Sequence, residues 1–176
     1  MKKKVLIKYG IILLSVGILI ALDLITKILF DNVNINIIGD FFVFKSTKNF
    51  GAGLGFLSGE TTLLIIVSSL FLVAFIVFDI FYKTKSKLYF VAFNFIIAGA
   101  IGNLIDRIFL GYVRDFIYIN LPFMPYYFNL ADVFLTVGVV LLLIVILFKK
   151  EPKKEKLVEA KDEKIEGNNN GKEINN

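Results

Sequence analysis

The chain contains no cysteine and no histidine. Disulfides, thiolate nucleophiles, Cys/His zinc sites and imidazole bases are therefore excluded by inventory, and any chemistry must come from carboxylates, hydroxyls, amides, Lys or Arg. Charge is also sparse against the apolar content: 20% of residues are charged and 57% hydrophobic, with a mean hydropathy of +0.75. A soluble domain of 176 residues does not carry that balance. The sequence is that of a membrane protein.

Four apolar runs stand out, Val5 to Phe30, Leu63 to Phe81, Leu88 to Leu110 and Leu130 to Phe148. Each approaches or exceeds the ~20 residues a helix needs to cross ~30 Å of hydrocarbon. The first has the basic start of a secretory signal peptide, but it is too long for one and lacks a small-x-small cleavage site, so we read it as retained. Lys2, Lys3, Lys4 and Lys8 precede the first run; Lys83, Lys85 and Lys87 join the second to the third; Lys149, Lys150, Lys153 and Lys154 follow the fourth. The positive-inside rule makes these three regions cytoplasmic. Both termini then lie inside, and the segments Asp31 to Glu60 and Gly111 to Asn129 face out.

The formal net charge of +5 needs no nucleic acid to explain it, because the basic residues of the body are mostly those that set topology. Residues 1–150 read as the membrane domain. Residues 151–176, charged and Asn-rich, read as a disordered cytoplasmic tail. The outer segments carry β-branched and aromatic residues in the pattern of short strands at the membrane surface. The expected fold is thus an all-α membrane protein, four transmembrane helices with both ends inside, plus a small extracytoplasmic β-cradle.

Ionisable groups in such helices pair, face a protein interior or do work. Asp23 and Lys27 are four apart and share a helix face; a pair snorkelling at the interface and a functional pair both fit. Asn103 and Asp106 share a face of the third helix with Arg107 beside them, and Ala98, Gly99 and Gly102 let another helix pack closely there. The fourth helix opens at FNLAD, where Asn129 and Asp132 have the spacing of a cap and its reciprocal acid. The third and fourth helices are antiparallel, so Asp106 and Asp132 should lie at similar depth near the outer side. Two carboxylates brought close at a partly dehydrated boundary share a proton and serve acid/base catalysis. In the loop STKNFGAGLGFLSG, Asn49, Gly51, Gly53 and Gly55 permit a mobile flap or an ordinary loop, and a Ser/Lys pair of Ser46 with Lys45 or Lys48 is a remote alternative.

These pieces resemble the lipoprotein signal peptidases (signal peptidase II), integral-membrane aspartic peptidases. The resemblance rests on D-x-x-T-K at Asp23 to Lys27, N-x-G at Asn49 to Gly51, G-N-x-x-D-R at Gly102 to Arg107, V-x-D-F at Val113 to Phe116 and F-N-x-A-D at Phe128 to Asp132, in that order. It covers about residues 1–150; Gly53 and Leu54 depart from the commoner Ala and Phe. It implies Asp106 and Asp132 as catalytic dyad, with Asp23, Lys27, Asn49, Gly51, Asn103, Arg107, Asp115 and Asn129 as binding or supporting residues, and no metal or cofactor. It also implies cleavage of bacterial prolipoproteins just before a diacylglyceryl-modified Cys, at the outer face of the cytoplasmic membrane, with membrane lipid and globomycin-type inhibitors as further partners. We read the chain as a monomer. A small proton- or ion-coupled transporter would place its acid near mid-membrane, whereas these acids gather at one edge; in a non-catalytic membrane scaffold neither aspartate would matter.

Overall fold

The computed structural model describes residues 2–52, 57–82, 84 and 86–148. Two of the flap glycines, six of the topology lysines (Lys83, Lys85, Lys149, Lys150, Lys153 and Lys154) and the charged tail lie outside these residues. Four long helices form: α1 (Lys2–Leu29), α2 (Thr61–Phe81), α3 (Lys87–Leu110) and α4 (Leu130–Leu147). Each is long and apolar enough to cross a bilayer. Their outer surfaces leave Leu13, Leu70, Phe81 and Phe109 largely exposed, an arrangement that water would penalise and lipid does not. The chain is a multi-pass membrane protein. Of its C-terminal unit, Ile146–Asn176, the described residues are only 146–148, the last two residues of α4 and Phe148.

α3 is the central helix. Its buried face runs from Tyr89 and Phe93 through Ile96, Ile97 and Ala98 to Asn103 and Asp106. Small residues bring its neighbours close: a Cβ on Gly102 would meet Asp23 Oδ2 of α1 at 2.6 Å, and one on Gly99 would strike the Ala131 carbonyl of α4. In return, a Cβ on Gly138 of α4 would meet Ile96 Cγ1 at 2.7 Å. The glycines at Gly10 and Gly17 of α1 have open space around the same position.

The helix ends are marked chemically. Ser86 caps α3, its Oγ accepting from the Tyr89 amide at 3.3 Å. Gly111, at φ +82, ends it in the left-handed conformation that a side chain would resist.

The two non-helical crossings at one end of the bundle pair with each other. β1 (Asn34–Ile38), β2 (Phe42–Asn49), β3 (Val113–Leu121) and β4 (Met124–Phe128) form one antiparallel sheet in the order β1-β2-β3-β4. Ser46 to Asn49, expected in a loop, are strand, because Thr47, Lys48 and Asn49 pair with Asp115, Arg114 and Val113. The cross-segment pairing that stabilises them is not visible in the local pattern of STKN. Phe30 at the end of α1 stacks on Phe116 with centroids 5.0 Å apart and meets Phe44 at 4.5 Å, seating the sheet on the bundle.

Candidate active site

The end of α1, the end of α3, the start of β3 and the start of α4 meet in one buried polar cluster. Asp23, Lys27, Asn103, Asp106, Asp115 and Asn129 are all buried within it. Lys27 lies 2.8 Å from Asp23 Oδ2 and 3.4 Å from Asp106 Oδ2, and it donates to Asn103 Oδ1 at 3.0 Å. With Asp23 and Lys27 at 0% and 1% exposure, the interfacial snorkelling alternative falls away. Asp23 also accepts the Ala131 amide at 2.8 Å, tying α1 to the first turn of α4.

Asn129 and Asp132 form a reciprocal box. The Asp132 amide donates to Asn129 Oδ1 at 3.0 Å, and the Asn129 amide donates to Asp132 Oδ2 at 3.2 Å. Asp132 Oδ1 accepts from Asn103 Nδ2 at 2.7 Å. Asp132, the reciprocal acid of the Asn129 cap, therefore hangs between two asparagines, with its carboxylate at the helix N-terminus, where the peptide dipoles favour an anion.

Asp106 does not face Asp132 as its depth in the sequence led us to expect. Its carboxylate turns to Arg114, which donates from NH2 to Oδ1 at 2.7 Å and from its backbone amide and Nε to Oδ2 at 3.0 and 3.3 Å. With Lys27 on the same oxygen, Asp106 is flanked by two cations. The physical reason is the strand: β3 returns alongside α3 and brings a guanidinium into reach.

The carboxylate that does approach Asp132 is Asp115. Asn129 Nδ2 donates to Asp115 Oδ1 at 2.7 Å while the Asn129 backbone holds Asp132, so one residue touches both acids. Asn49 Nδ2, across the β2–β3 pairing, donates to Asp115 Oδ2 at 2.8 Å. Burial, and then the charge of Asp132, push the Asp115 carboxyl up to about 6, against the pull of the two asparagine donors and Lys27. The Tyr126 phenol beside them is also raised, by burial and then by Asp132 and Asp115. The Asp106 hydrogen bond raises Arg114 further and keeps it a cation.

Asn49 and Arg107 organise the approach to this pair. Asn49 Oδ1 accepts the Gly51 amide at 2.9 Å, and Arg107 donates to the Gly51 carbonyl at 3.0 Å. Ser46 makes no pair with a lysine: its Oγ donates to Asp31 at 3.3 Å, while Lys45 and Lys48 lie over the rings of Tyr118 and Tyr112.

Two cavities flank the acids. One of about 380 Å³ reaches Asp115 between Lys48, Asn49, Ser58 and Tyr126. The other, about 310 Å³ and mostly apolar, reaches Asp132 between Ile119, Phe128, Val133 and Val137. Tyr126 borders both. Two acids joined by one asparagine, through its side chain and its backbone amide, with a polar opening on one side and an apolar one on the other, suit acid/base work on a polar bond within an amphipathic molecule.

Arg114 is the site residue that sequence reasoning missed. It occupies the variable position of V-x-D-F, and the available signal was a cation directly beside an acid at the start of a strand whose next residues are mostly apolar.

Known proteins similar to this chain include lipoprotein signal peptidases and a bacterial membrane enzyme. A family model described as signal peptidase (SPase) II matches residues 15–148. The lipoprotein signal peptidase of Clostridium novyi is 41% identical over 135 residues, 73% of this chain and 91% of that protein. That of Clostridium acetobutylicum is 38% identical over 156 residues, 84% of this chain and 99% of that one. A bacterial membrane enzyme solved by the in meso method at 2.3 Å resolution is 33% identical, with a TM-score of 0.73 covering 82% of this chain and 93% of that one.

Proposed function

Since the chain belongs to the signal peptidase II family, the lipoprotein signal peptidases, we propose that it is an aspartic endopeptidase whose working acids are Asp115 and Asp132. It removes the signal peptide of bacterial prolipoproteins just before the diacylglyceryl-modified Cys. The observation that carries this choice of acids is the position of Asn129, bonded to both, while Asp106 is occupied by Arg114 and Lys27. The role first given to Asp106 passes to Asp115, and Asp106 becomes part of the supporting framework with Asp23, Lys27, Asn103 and Arg107.

The pair holds one proton. Asp115, poised near 6, carries it toward the scissile carbonyl oxygen, and Asp132 takes a proton from a water that attacks the carbonyl carbon. Collapse of the tetrahedral intermediate passes a proton to the departing Cys nitrogen, breaks the C–N bond and returns the pair to its starting state. The apolar cavity beside Asp132 suits the signal-peptide side arriving from lipid, and the polar cavity beside Asp115 suits water and the polar part of the substrate. Asn49, held by the amide of Gly51, whose carbonyl Arg107 holds in turn, keeps a donor on Asp115. The reading includes a monomer in the bacterial cytoplasmic membrane, both termini inside, the sheet and acids on the outer face, and inhibition by globomycin-type cyclic peptides.

The test is processing of a purified diacylglyceryl-modified prolipoprotein in detergent. Asp115→Asn and Asp132→Asn should each abolish the gel shift while the proteins still fold. Full activity in either variant overturns the assignment.

A further inference from the structure

Arg114 borders neither cavity beside the two acids, and the hydrogen bonds of its guanidinium all end on Asp106. Its backbone amide ends there as well. Successive residues of a strand point to opposite faces, so the grip on Arg114 sets where the next side chain, Asp115, emerges. That side chain meets Asn129 at 2.7 Å and Asn49 at 2.8 Å. Resting on the reading of Asp115 and Asp132 as the working pair, we propose that Arg114 is a positioning residue: its clamp on Asp106 fixes the first turn of chain after α3 so that the Asp115 carboxylate is held against Asn129 and Asp132.

Three features favour placement over bulk stability. The planar guanidinium fork engages both carboxylate oxygens, which restrains orientation as well as distance. The pair is mostly out of water, with side-chain exposures of 17% for Arg114 and 1% for Asp106, so competition from solvent is weak. The sheet has other attachments: β3 pairs with both β2 and β4, and Phe116 stacks on Phe30. Losing the guanidinium leaves those in place and releases only the strand start.

A backbone bond accompanies the side-chain ones, and this makes the prediction quantitative. Arg114→Gln removes the fork but keeps the amide on Asp106; Asp106→Asn weakens both. With displacement on the scale of an ångström costing about a hundredfold in rate, Arg114→Gln should lower kcat about tenfold and Asp106→Asn about a hundredfold. KM for the diacylglyceryl-modified prolipoprotein should stay within about twofold. Arg114→Lys should recover part of the loss, and the Arg114→Gln, Asp106→Asn double variant should be no slower than Asp106→Asn alone, because both act through one contact. Thermal midpoints measured alongside should leave Arg114→Gln close to the parent.

An unchanged kcat in Arg114→Gln, or losses that multiply in the double variant, overturns the role of Arg114. If Asp106→Asn does not fold, Arg114→Gln and Arg114→Lys decide alone: loss with partial rescue supports the clamp, and equal rates overturn it. Asp115→Asn is assayed in the same series. Activity surviving there sinks the reading of the acid pair, whereas a dead Asp115→Asn beside an unaffected Arg114→Gln sinks only the clamp.

Discussion

Asn129 and Asp132 cap each other: each backbone amide donates to the other's side chain, at 3.0 and 3.2 Å. The side-chain amide left over on Asn129 reaches Asp115 at 2.7 Å. Helix initiation and placement of the two acids are thus one piece of chemistry.

Asn129→Ala should therefore cost more in rate than in stability. Loss of a cap is worth about 1 kcal/mol, whereas two unlinked acids should lower kcat by about a hundredfold or more. Thermal unfolding and initial-rate measurements on the same preparation separate the two, and a rate loss no larger than the stability change implies would contradict the bridging role.

The pH profile follows from Asp115. Its carboxyl is raised to about 6, so the proton it donates is present below that value and lost above it; kcat should fall as pH rises through about 6. Asn49 donates to the charged form and so holds the value down. Asn49→Ala should shift the alkaline limb upward, and a shift downward would show that the limb belongs to another group.

Asp115 should also destabilise the fold when ionised. A carboxyl that titrates near 6 in the folded chain and 3.8 in its ordinary state favours folding most at low pH and loses that advantage as pH rises through the interval. Asp115→Asn should then be inactive yet more stable than the parent at pH 8, by up to about 3 kcal/mol, as read by chemical denaturation in detergent.

Lys27→Met should unfold or severely weaken the protein. It would leave Asp23 and Asp106 buried with one cation fewer, and breaking a buried ion pair from one side costs about 3–5 kcal/mol. A Lys27→Met protein with an unchanged melting temperature would mean that the Lys27 contacts with Asp23 and Asp106 do not hold the fold.

The glycines of the membrane helices should divide into two classes. Gly99→Ala forces a methyl onto the Ala131 carbonyl and Leu135 and should cost about 1–3 kcal/mol along with activity. Gly17→Ala meets nothing within 4 Å and should be neutral in a thermal-shift assay.

Much of this was legible in the residues. Helix lengths follow from apolar runs, and each expected span lies within a few residues of the observed one. Close packing at Gly99 and Gly102 and the FNLAD cap are local signals that a sequence displays directly. Which acid turns toward which was not legible, because it depends on the pairing of β2 with β3, a contact between segments some 70 residues apart. Helical spacing relates Asn103 to Asp106, but only the strand's return places Arg114 on Asp106 and Asp115 on Asn129. Ser46 to Asn49 were misread as loop for the same reason: their partners lie in the other crossing.

Only Gly111 and Tyr112 separate the last turn of α3 from the start of β3, and along β3 anchor and acid alternate. Adding or deleting one residue in that short link would exchange the strand's two faces, delivering a guanidinium to Asn129 and sending the acid toward Asp106. The length of this connection is therefore under as tight a constraint as the identity of any side chain it delivers.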